Sequence, residues 1–293
     1  MYWQTSRFQV DLNQPCIMGI VNLTPDSFSD GGLHGQPGQA STTASALQHC
    51  ERLIREGADI LDLGGESSRP GAAQVSLQEE LARVMPVLRE ALTLGVPISI
   101  DTCKPAVMQA ALDMGADIIN DISALRQSGS DRIVAAHPAC GVCVMHMHRD
   151  PQSMQRVPMQ GDAVPQVLLF LEQIVQHLYR LGIDKTRIVM DPGIGFGKTP
   201  AQNFALLARQ DELIALIGVP LLAGWSRKSS LAAKDEKPAD LLQTHGLPHP
   251  RLVASVTAAV LAVGNGARVV RVHDVAATAQ ALQVWQSMRQ QAV

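Results

Sequence analysis

The chain has 293 residues, 46% of them hydrophobic, and carries a formal net charge of −3 at pH 7. This length and apolar share suit one barrel-sized domain, while the absence of a long basic run argues against a nucleic-acid partner. The longest apolar stretch, residues 252–263, is shorter than the roughly 20 residues that span a bilayer. The first residues also lack the charged-then-apolar pattern of a secretory signal. We therefore expect a cytoplasmic protein with no membrane or nucleic-acid partner.

Eight short apolar runs, each followed by polar residues, predict the strands of a parallel sheet. In chain order, the polar ends of these runs include Asn22, Glu66, Asp101, Asn120, His146, Asp191, Lys228 and His273. Helical segments are predicted between them at 42–56, 76–94, 105–114, 166–181, 204–217 and 253–263. The pattern predicts an α/β fold, a single (β/α)8 TIM barrel over residues 1–293 with an insertion at about 232–250. The C-terminal strand ends of such a barrel meet at one mouth.

Local signals support these boundaries. The spacing of Ser76 and Glu79 fits a capping box, and Pro105 suits a first helical position. Three segments fit no strand–helix unit and are predicted as loops at the mouth: 23–38, 67–75 and 148–164. We expect the first two to be mobile without ligand.

Two motifs invite a site assignment that their spacing does not support. Cys140 and Cys143 form a CxxC near two histidines, but a second CxxC is missing, and in a strand the two side chains would point to opposite faces. DPGIGFGKT (191–199) resembles a phosphate loop, but the first glycine that such a loop needs is replaced by Pro192. We expect neither a zinc site nor nucleotide hydrolysis.

Two aspartates and an asparagine form a predicted set of hydrogen-bond acceptors at the mouth. Asp101 and Asp191 each end an apolar strand, and either one alone could instead cap the helix that follows. Asn120 lies between them in strand order. Together they suit a planar heterocycle that presents an amine and a ring NH side by side.

Positive charge is predicted at the same mouth. Arg271 and His273 alternate with valines along the last strand, so both side chains should face into the mouth. Arg69, Arg227 and Lys228 follow other strands, and for any one of these residues a solvated or structural role is the alternative. A cationic mouth implies an anionic substrate, for which a phosphate or diphosphate fits best.

Asn22 ends the first predicted strand of the barrel and offers a neutral oxygen. Mg²⁺ prefers oxygen ligands and keeps several waters when it binds a diphosphate. Because the sequence shows no cage of carboxylates, we expect any Mg²⁺ to arrive with the substrate.

Taken in order, eight motifs resemble those of the dihydropteroate synthase family. They are IMGIVNLTPDSFSDGG (17–32), DLGGESSRPGA (62–72), SIDT (99–102), INDI (119–122), MHMHRDPQSMQ (145–155), DPGIGFGK (191–198), GWSRKS (224–229) and RVHDV (271–275). The resemblance covers essentially the whole chain. It implies a pterin-binding barrel that condenses (7,8-dihydropterin-6-yl)methyl diphosphate with p-aminobenzoate to 7,8-dihydropteroate and diphosphate, in folate biosynthesis. It also implies a homodimer and a family targeted by sulfonamides.

The resemblance implies a role for each matching residue, with Asn22 as the Mg²⁺ ligand. The implied catalytic residues are Arg69, Asp101, Lys228, Arg271 and His273. The implied substrate-binding residues are Phe28, Ser68, Pro70, Asp101, Asn120, Asp191, Lys228, Ser229, Arg271 and His273. Of these, the pterin group is Asp101, Asn120, Asp191 and Lys228, with Arg271 against the ring. Phe28, Ser68, Arg69, Pro70 and Ser229 form the implied p-aminobenzoate site. The chain departs from the usual family pattern at Ser68, His148 and Trp225.

Two other functions are compatible with a pterin-binding barrel. One is a methyltransferase acting on methyltetrahydrofolate, which is not expected to carry NLTPDSFSDGG or the cationic SRK and RVHD motifs. The other is a pterin-binding protein without catalysis, against which the intact Asn22, Arg271 and His273 argue. If the synthase prediction is correct, we expect the pterin diphosphate to bind before p-aminobenzoate.

Overall fold

The computed structural model describes residues 1–24, 39–67, 74–150, 153–154, 156–232, 247 and 249–291. The strands in these ranges are β1 (Tyr2–Gln4), β2 (Gln9–Asp11), β3 (Cys16–Asn22), β4 (Ile60–Gly64), β5 (Ile98–Asp101), β6 (Ile118–Asp121), β7 (Gly141–Met145), β8 (Ile188–Asp191), β9 (Leu222–Ala223) and β10 (Val269–Val272). The helices are α1 (Gln39–Arg55), α2 (Leu77–Ala91), α3 (Pro105–Met114), α4 (Ser130–Ala136), α5 (Ala163–Arg180), α6 (Pro200–Ala208), α7 (Gln210–Ile217), α8 (Leu252–Gly264) and α9 (Val275–Gln290).

Eight of these strands form a parallel sheet in the order β8–β7–β6–β5–β4–β3–β10–β9. A parallel bridge between Met190 and Leu221 joins the two ends of this order and closes the sheet. Every strand of the sheet is followed by at least one helix. The predicted (β/α)8 barrel is therefore confirmed, and the polar residues that end its strands meet at one mouth.

Several predicted boundaries are confirmed in detail. α3 begins and ends at the predicted residues, and Pro105 occupies its first turn. Ser76 and Glu79 form the predicted capping box of α2. One prediction is wrong in extent. The helix predicted at 204–217 is two helices separated at Arg209, whose φ of −120° and ψ of 20° leave the helical range. The predicted strand that precedes Lys228 is the short β9.

Three elements were not among the predicted ones. One is α4, which is short. Another is α9 after the last strand, which was not predicted although its Ala-, Gln- and Leu-containing sequence has good helix propensity. The third is the antiparallel hairpin of β1 and β2. Most of the predicted loops 23–38 and 67–75, and most of the insertion at 232–250, lie outside the described residues. In the described parts of the third loop, 148–164, only its last two residues are helical.

The apolar core has two main parts. The larger lies between the barrel strands and the surrounding helices. The smaller fills the lower half of the barrel interior, where Trp3 and Leu12 from the hairpin region pack against inward-facing strand residues. The Trp3 indole donates a hydrogen bond of 2.9 Å to the carbonyl of Arg187, so the hairpin closes the end of the barrel opposite the mouth. Among the described helices, none combines the length and the apolar character needed to cross a bilayer.

Candidate active site

A cavity of about 460 Å³ opens at the C-terminal mouth of the barrel. The described residues of the predicted site all line it: Asn22, Asp101, Asn120, Asp191, Lys228, Ser229, Arg271 and His273. They come from the ends of six different strands or from the turns just beyond them. The predicted residues Phe28, Ser68, Arg69 and Pro70 lie outside the described residues. The structure thus brings one predicted set of acceptors and cations to a single place.

Arg271 is held by two carboxylates at the floor of this cavity. Its Nε donates to Asp62 Oδ2 at 2.6 Å and its Nη2 donates to Asp101 Oδ2 at 2.7 Å. Burial opposes the charge of Arg271, but Asp62 and Asp101 raise its pKa overall. Burial raises the pKa of Asp101 to about 7, while Arg271 acts in the opposite direction and Asp62 adds to the rise. The arginine is thus permanently charged, and Asp101 is poised to change its charge near neutral pH.

Asp62 also receives a second donor. Asn120 Nδ2 lies 3.0 Å from Asp62 Oδ2, and both residues are buried. Asp62 is fully buried in β4 and was not predicted as a site residue. The signal for it was present in the sequence, because a carboxylate inside an otherwise apolar, fully buried strand needs a partner.

Asp191 lies on the opposite side of the cavity floor, at the end of β8. Its Oδ1 accepts a hydrogen bond of 2.7 Å from the backbone N–H of Gly193, and burial raises its pKa. The next helix, α6, is capped by Thr199, and α3 has Lys104 at its N-cap position. The capping alternative is therefore wrong for both Asp101 and Asp191, and their carboxylates are available to the cavity.

Lys228 and the glycine-rich turn after β8 form one wall. The Lys228 ammonium lies 4.2 Å from the centroid of the Phe196 ring, a cation–π arrangement. Gly193 has a φ of 69°, and a Cβ there would come within 1.8 Å of the His146 carbonyl oxygen, so only glycine fits. The turn places Phe196 in the cavity wall. It therefore shapes an apolar wall rather than a phosphate loop.

Lys198, at the end of this turn, does not face the cavity. Its ammonium is buried and donates to the carbonyls of Gly193 at 2.8 Å, Phe196 at 3.2 Å and His146 at 3.3 Å. Burial lowers its pKa to about 7, and Asp191 acts in the opposite direction. Lys198 thus ties the turn to the end of β7.

The last strand contributes a second polar pair. The Ser226 hydroxyl lies 3.0 Å from His273 Nδ1 and accepts a hydrogen bond of 3.1 Å from the His273 backbone N–H. Arg227, next in the chain, pairs with Asp274 at 2.7 Å. His273 therefore lines the cavity in a fixed orientation, while the charge of Arg227 is engaged by its neighbour.

The histidine and cysteine candidates lie in β7 or beside it. The described residues include no group of three or more His, Cys, Asp or Glu side chains able to hold a metal ion. Cys140 and Cys143 are buried and free, and burial raises the pKa of both thiols. Burial lowers the pKa of His146 to about 2, so this imidazole is neutral. Neither His146 nor His148 lines the cavity.

Other residues of the cavity were not predicted. They include Ile122, Met145, Met154, Phe196, Ser226, His249 and Arg251. His249 lay inside the predicted insertion, where no sequence signal pointed to the mouth. Trp225, one of the departures from the family pattern, is buried and stacks on Phe204 with ring centroids 5.4 Å apart, so it belongs to the core rather than to the cavity wall.

Comparison with known proteins agrees with this geometry. Residues 18–273 match the profile of a family described as pterin binding enzyme. The chain is 47% identical over 287 residues to the dihydropteroate synthase of Neisseria meningitidis serogroup C, covering 98% of this chain and 97% of that protein.

Two solved structures are similar over nearly the full length. Xanthomonas albilineans dihydropteroate synthase with 4-aminobenzoic acid has a TM-score of 0.85 and 44% identity, covering 99% of both chains. Burkholderia cenocepacia dihydropteroate synthase complexed with 7,8-dihydropteroate has a TM-score of 0.83 and 43% identity, covering 99% of this chain and 97% of that chain.

Proposed function

The chain belongs to the pterin-binding enzyme family, among its dihydropteroate synthases, and on that premise we propose what its barrel mouth does. It is a transferase that joins (7,8-dihydropterin-6-yl)methyl diphosphate to p-aminobenzoate, giving 7,8-dihydropteroate and diphosphate in folate biosynthesis. The observation that carries this proposal is the convergence of Asp101, Asn120, Asp191, Lys228 and Arg271 on one cavity. The set combines acceptors for a pterin edge with cations for an anionic leaving group.

The pterin binds between the acceptors of the cavity floor. Asp191 keeps Oδ2 for the ligand, because Oδ1 is the atom that accepts from Gly193. A carboxylate and an amide oxygen suit the amine and ring NH groups of a pterin, and Lys228 and Arg271 suit its acceptor atoms. Arg271, held in place by Asp62 and Asp101, lies against the ring.

The leaving group is neutralised by the cationic side of the mouth. Arg271 and His273 face the diphosphate, with Arg69 as a further predicted contact from outside the described residues. Charge that develops on the diphosphate oxygens as the C–O bond breaks is stabilised by such preorganised donors. Asp101 and Asp191 in turn stabilise the positive charge that spreads over the dihydropterin ring.

Mg²⁺ fits this site as an ion carried by the substrate. Asn22 lines the cavity at the end of β3 and supplies one neutral oxygen, while the described residues hold no cluster that could bind a metal alone. Most ligands of the ion would therefore be diphosphate and water oxygens, as Mg²⁺ prefers. When bound, the ion neutralises charge on the diphosphate.

The arylamine attacks the methylene carbon after the diphosphate has left or as it leaves. An aniline nitrogen is nucleophilic without prior deprotonation, so no strong general base is needed. The nitrogen loses its extra proton to the departing diphosphate or to water once the C–N bond has formed. Ser229 lines the cavity beside Lys228 and is the described member of the p-aminobenzoate site. The rest of that site is assigned to Phe28, Ser68, Arg69 and Pro70.

The active protein is a cytoplasmic homodimer in this proposal. Its five cysteines are free, as is usual in a reducing compartment. Several large apolar side chains on α7, α8 and α9 are exposed and suit an interface between two copies: Leu216, Val253, Leu261, Val284 and Met288. Sedimentation of the wild-type protein beside a Val284→Asp variant tests this assignment, with the variant expected to sediment as a monomer.

The activity is tested by incubating the purified protein with the dihydropterin methyl diphosphate, p-aminobenzoate and Mg²⁺. We expect equal amounts of diphosphate and dihydropteroate, and no dihydropteroate when p-aminobenzoate is omitted. Methyl transfer from methyltetrahydrofolate in parallel assays would favour the methyltransferase. Pterin binding without any product would favour the non-catalytic alternative.

A further inference from the structure

We propose that Asp62 is a positioning residue that fixes the hydrogen-bonding polarity of the pterin pocket through Asn120 and Arg271. The inference rests on the proposed function, because it assigns a pterin to the cavity. Asp62 itself is fully buried and does not line the cavity. It acts from behind the cavity-lining side chains of Asn120 and Arg271, which it contacts.

One oxygen of Asp62 receives both contacts. Asp62 Oδ2 accepts from Arg271 Nε at 2.6 Å and from Asn120 Nδ2 at 3.0 Å. Its other oxygen, Oδ1, is buried without a hydrogen-bond partner among the described residues. The carboxylate therefore serves two cavity-lining side chains from a single atom.

The contact with Asn120 decides which end of the amide faces the cavity. An ionised carboxylate only accepts hydrogen bonds, so it pairs with the NH₂ group of Asn120 and not with its oxygen. The Asn120 oxygen is then directed away from Asp62. Asn120 lines the cavity, so Asp62 makes it present an acceptor to the ligand. Without Asp62 either end of the amide could face the ligand.

The contact with Arg271 fixes the plane of the guanidinium group. Asp62 holds the Nε edge and Asp101 holds Nη2 at 2.7 Å. Two carboxylates at separate donors of a rigid planar group leave it little rotational freedom. Loss of Asp62 would leave Arg271 held by Asp101 alone. The guanidinium could then rotate, and the interaction of Asp101 with the ligand would be disturbed.

The unpartnered oxygen provides a way to separate positioning from charge. Asp62→Asn can keep its single oxygen at the Oδ2 position, where both donors meet it. Its NH₂ group would then occupy the Oδ1 position, which meets no hydrogen-bond partner among the described residues. Asp62→Leu has the same branching, with larger methyl groups in place of the two oxygens, and offers no acceptor.

Calorimetric titration with the dihydropterin methyl diphosphate, without p-aminobenzoate, distinguishes these cases. We expect Asp62→Asn to bind within about threefold of wild type and Asp62→Leu to bind more than about tenfold more weakly, since it loses two hydrogen bonds to a buried acceptor. Equal, large losses in both variants would mean that the charge of Asp62 matters and not its acceptor geometry. Wild-type affinity in Asp62→Leu would overturn the proposal.

Asn120→Asp should change pterin affinity in opposite directions in the wild-type protein and in the Asp62→Leu variant. Asn120→Asp alone places a second carboxylate against Asp62 and should weaken pterin binding more than about tenfold. In the Asp62→Leu background the same change supplies an acceptor whichever way the side chain is turned, and should improve binding about threefold or more. Similar losses in both backgrounds would show that the two residues are not coupled.

Ser99→Ala is the matched control, because Ser99 lies beside Asp62 in the same buried layer and has no cavity contact. It should leave pterin affinity unchanged. Circular dichroism and thermal melts establish that each variant is folded, and Asp62→Ala replaces Asp62→Leu if the latter does not fold. Failure of the wild-type protein to bind the pterin would count against the proposed function, whereas wild-type binding with unaffected Asp62 variants would count against this inference alone.

Discussion

The barrel interior has two layers of opposite character, although the same strands build both. In the lower layer the inward-facing residues are apolar, among them Ile60, Ile118, Val189 and Val269. Two residues further along each of these strands, the inward-facing position is occupied by Asp62, Asn120, Asp191 and Arg271, respectively. Successive inward positions on a strand are only about 6.6 Å apart, so the transition from core to site is abrupt.

The layers differ because their surroundings differ. The lower layer is closed by Trp3 and Leu12, so a charge placed there would have neither water nor a partner. The upper layer opens to the cavity, and its charges have partners, as Arg271 has in Asp62 and Asp101. Stability and ligand recognition are thus separated along each strand, which allows the mouth to be polar without loss of the core.

Placing a charged residue in the lower layer should produce the largest effect, a loss of stability. Val189 is fully buried in the lower layer, so Val189→Asp would bury an unpaired carboxylate. We expect it to lower the free energy of unfolding by more than about 4 kcal/mol, which few single domains tolerate. Urea denaturation followed by circular dichroism measures this change.

Val189→Thr is the matched control for that substitution. It has nearly the same shape but replaces one methyl group by a hydroxyl, so the expected cost is about 1–3 kcal/mol. Equal stability of the Asp variant and the wild type would mean that the lower layer is accessible to water, and the contrast between the layers would be lost.

A substitution two residues further along the same strand, at Asp191, should lower pterin affinity and leave stability nearly unchanged. Asp191→Asn can keep the hydrogen bond from Gly193 with its one oxygen, but it loses the charge and the second acceptor. A lost charge-assisted hydrogen bond costs about 1.5–3 kcal/mol, which is more than tenfold in pterin affinity. Calorimetry should show that loss while the unfolding free energy changes little. Unchanged pterin affinity in a folded variant would remove Asp191 from the site.

The sequence predicted the upper layer well because strand ends are easy to locate. An apolar run that stops at Asp101, Asn120 or Asp191 marks both the strand and the residue that faces the mouth, since all parallel strands point the same way. The fold followed from the eightfold repetition of such runs. Alternation along RVHD correctly placed Arg271 and His273 on the same side.

What the sequence did not predict depends on contacts between distant segments. Asp62 lies within a strand, not at its end, and its partner Arg271 is more than two hundred residues away in the chain. The division between α6 and α7 accompanies hydrogen bonds from the buried Gln210 side chain to the carbonyls of Ala262 and Asn265. Neither contact leaves a periodic pattern in the sequence. The sequence marks Asp62 as a carboxylate that needs a partner, but it does not identify that partner.

Protonation of Asp101 should change stability and pterin affinity in opposite directions, gradually with pH and by less than the substitutions above. Burial raises its pKa to about 7 in the free protein, well above the ordinary value for an aspartate. Between about pH 4 and 7 the folded state therefore holds a proton that the unfolded chain releases, and the stability contributed by this group falls as pH rises through that window.

The pH dependence of pterin affinity should have the opposite sign, because the ligand's NH groups need the anionic form of Asp101. Affinity should rise by up to about tenfold per pH unit from pH 6 to 7 and become constant above about pH 8. The measurement is calorimetry with a dihydropterin that lacks the diphosphate, so that no phosphate titrates in this range. Asp101→Asn should bind more weakly and without this pH dependence. A wild-type affinity that is flat from pH 6 to 8 would show that Asp101 is already charged in the free protein, with Arg271 outweighing the effect of burial.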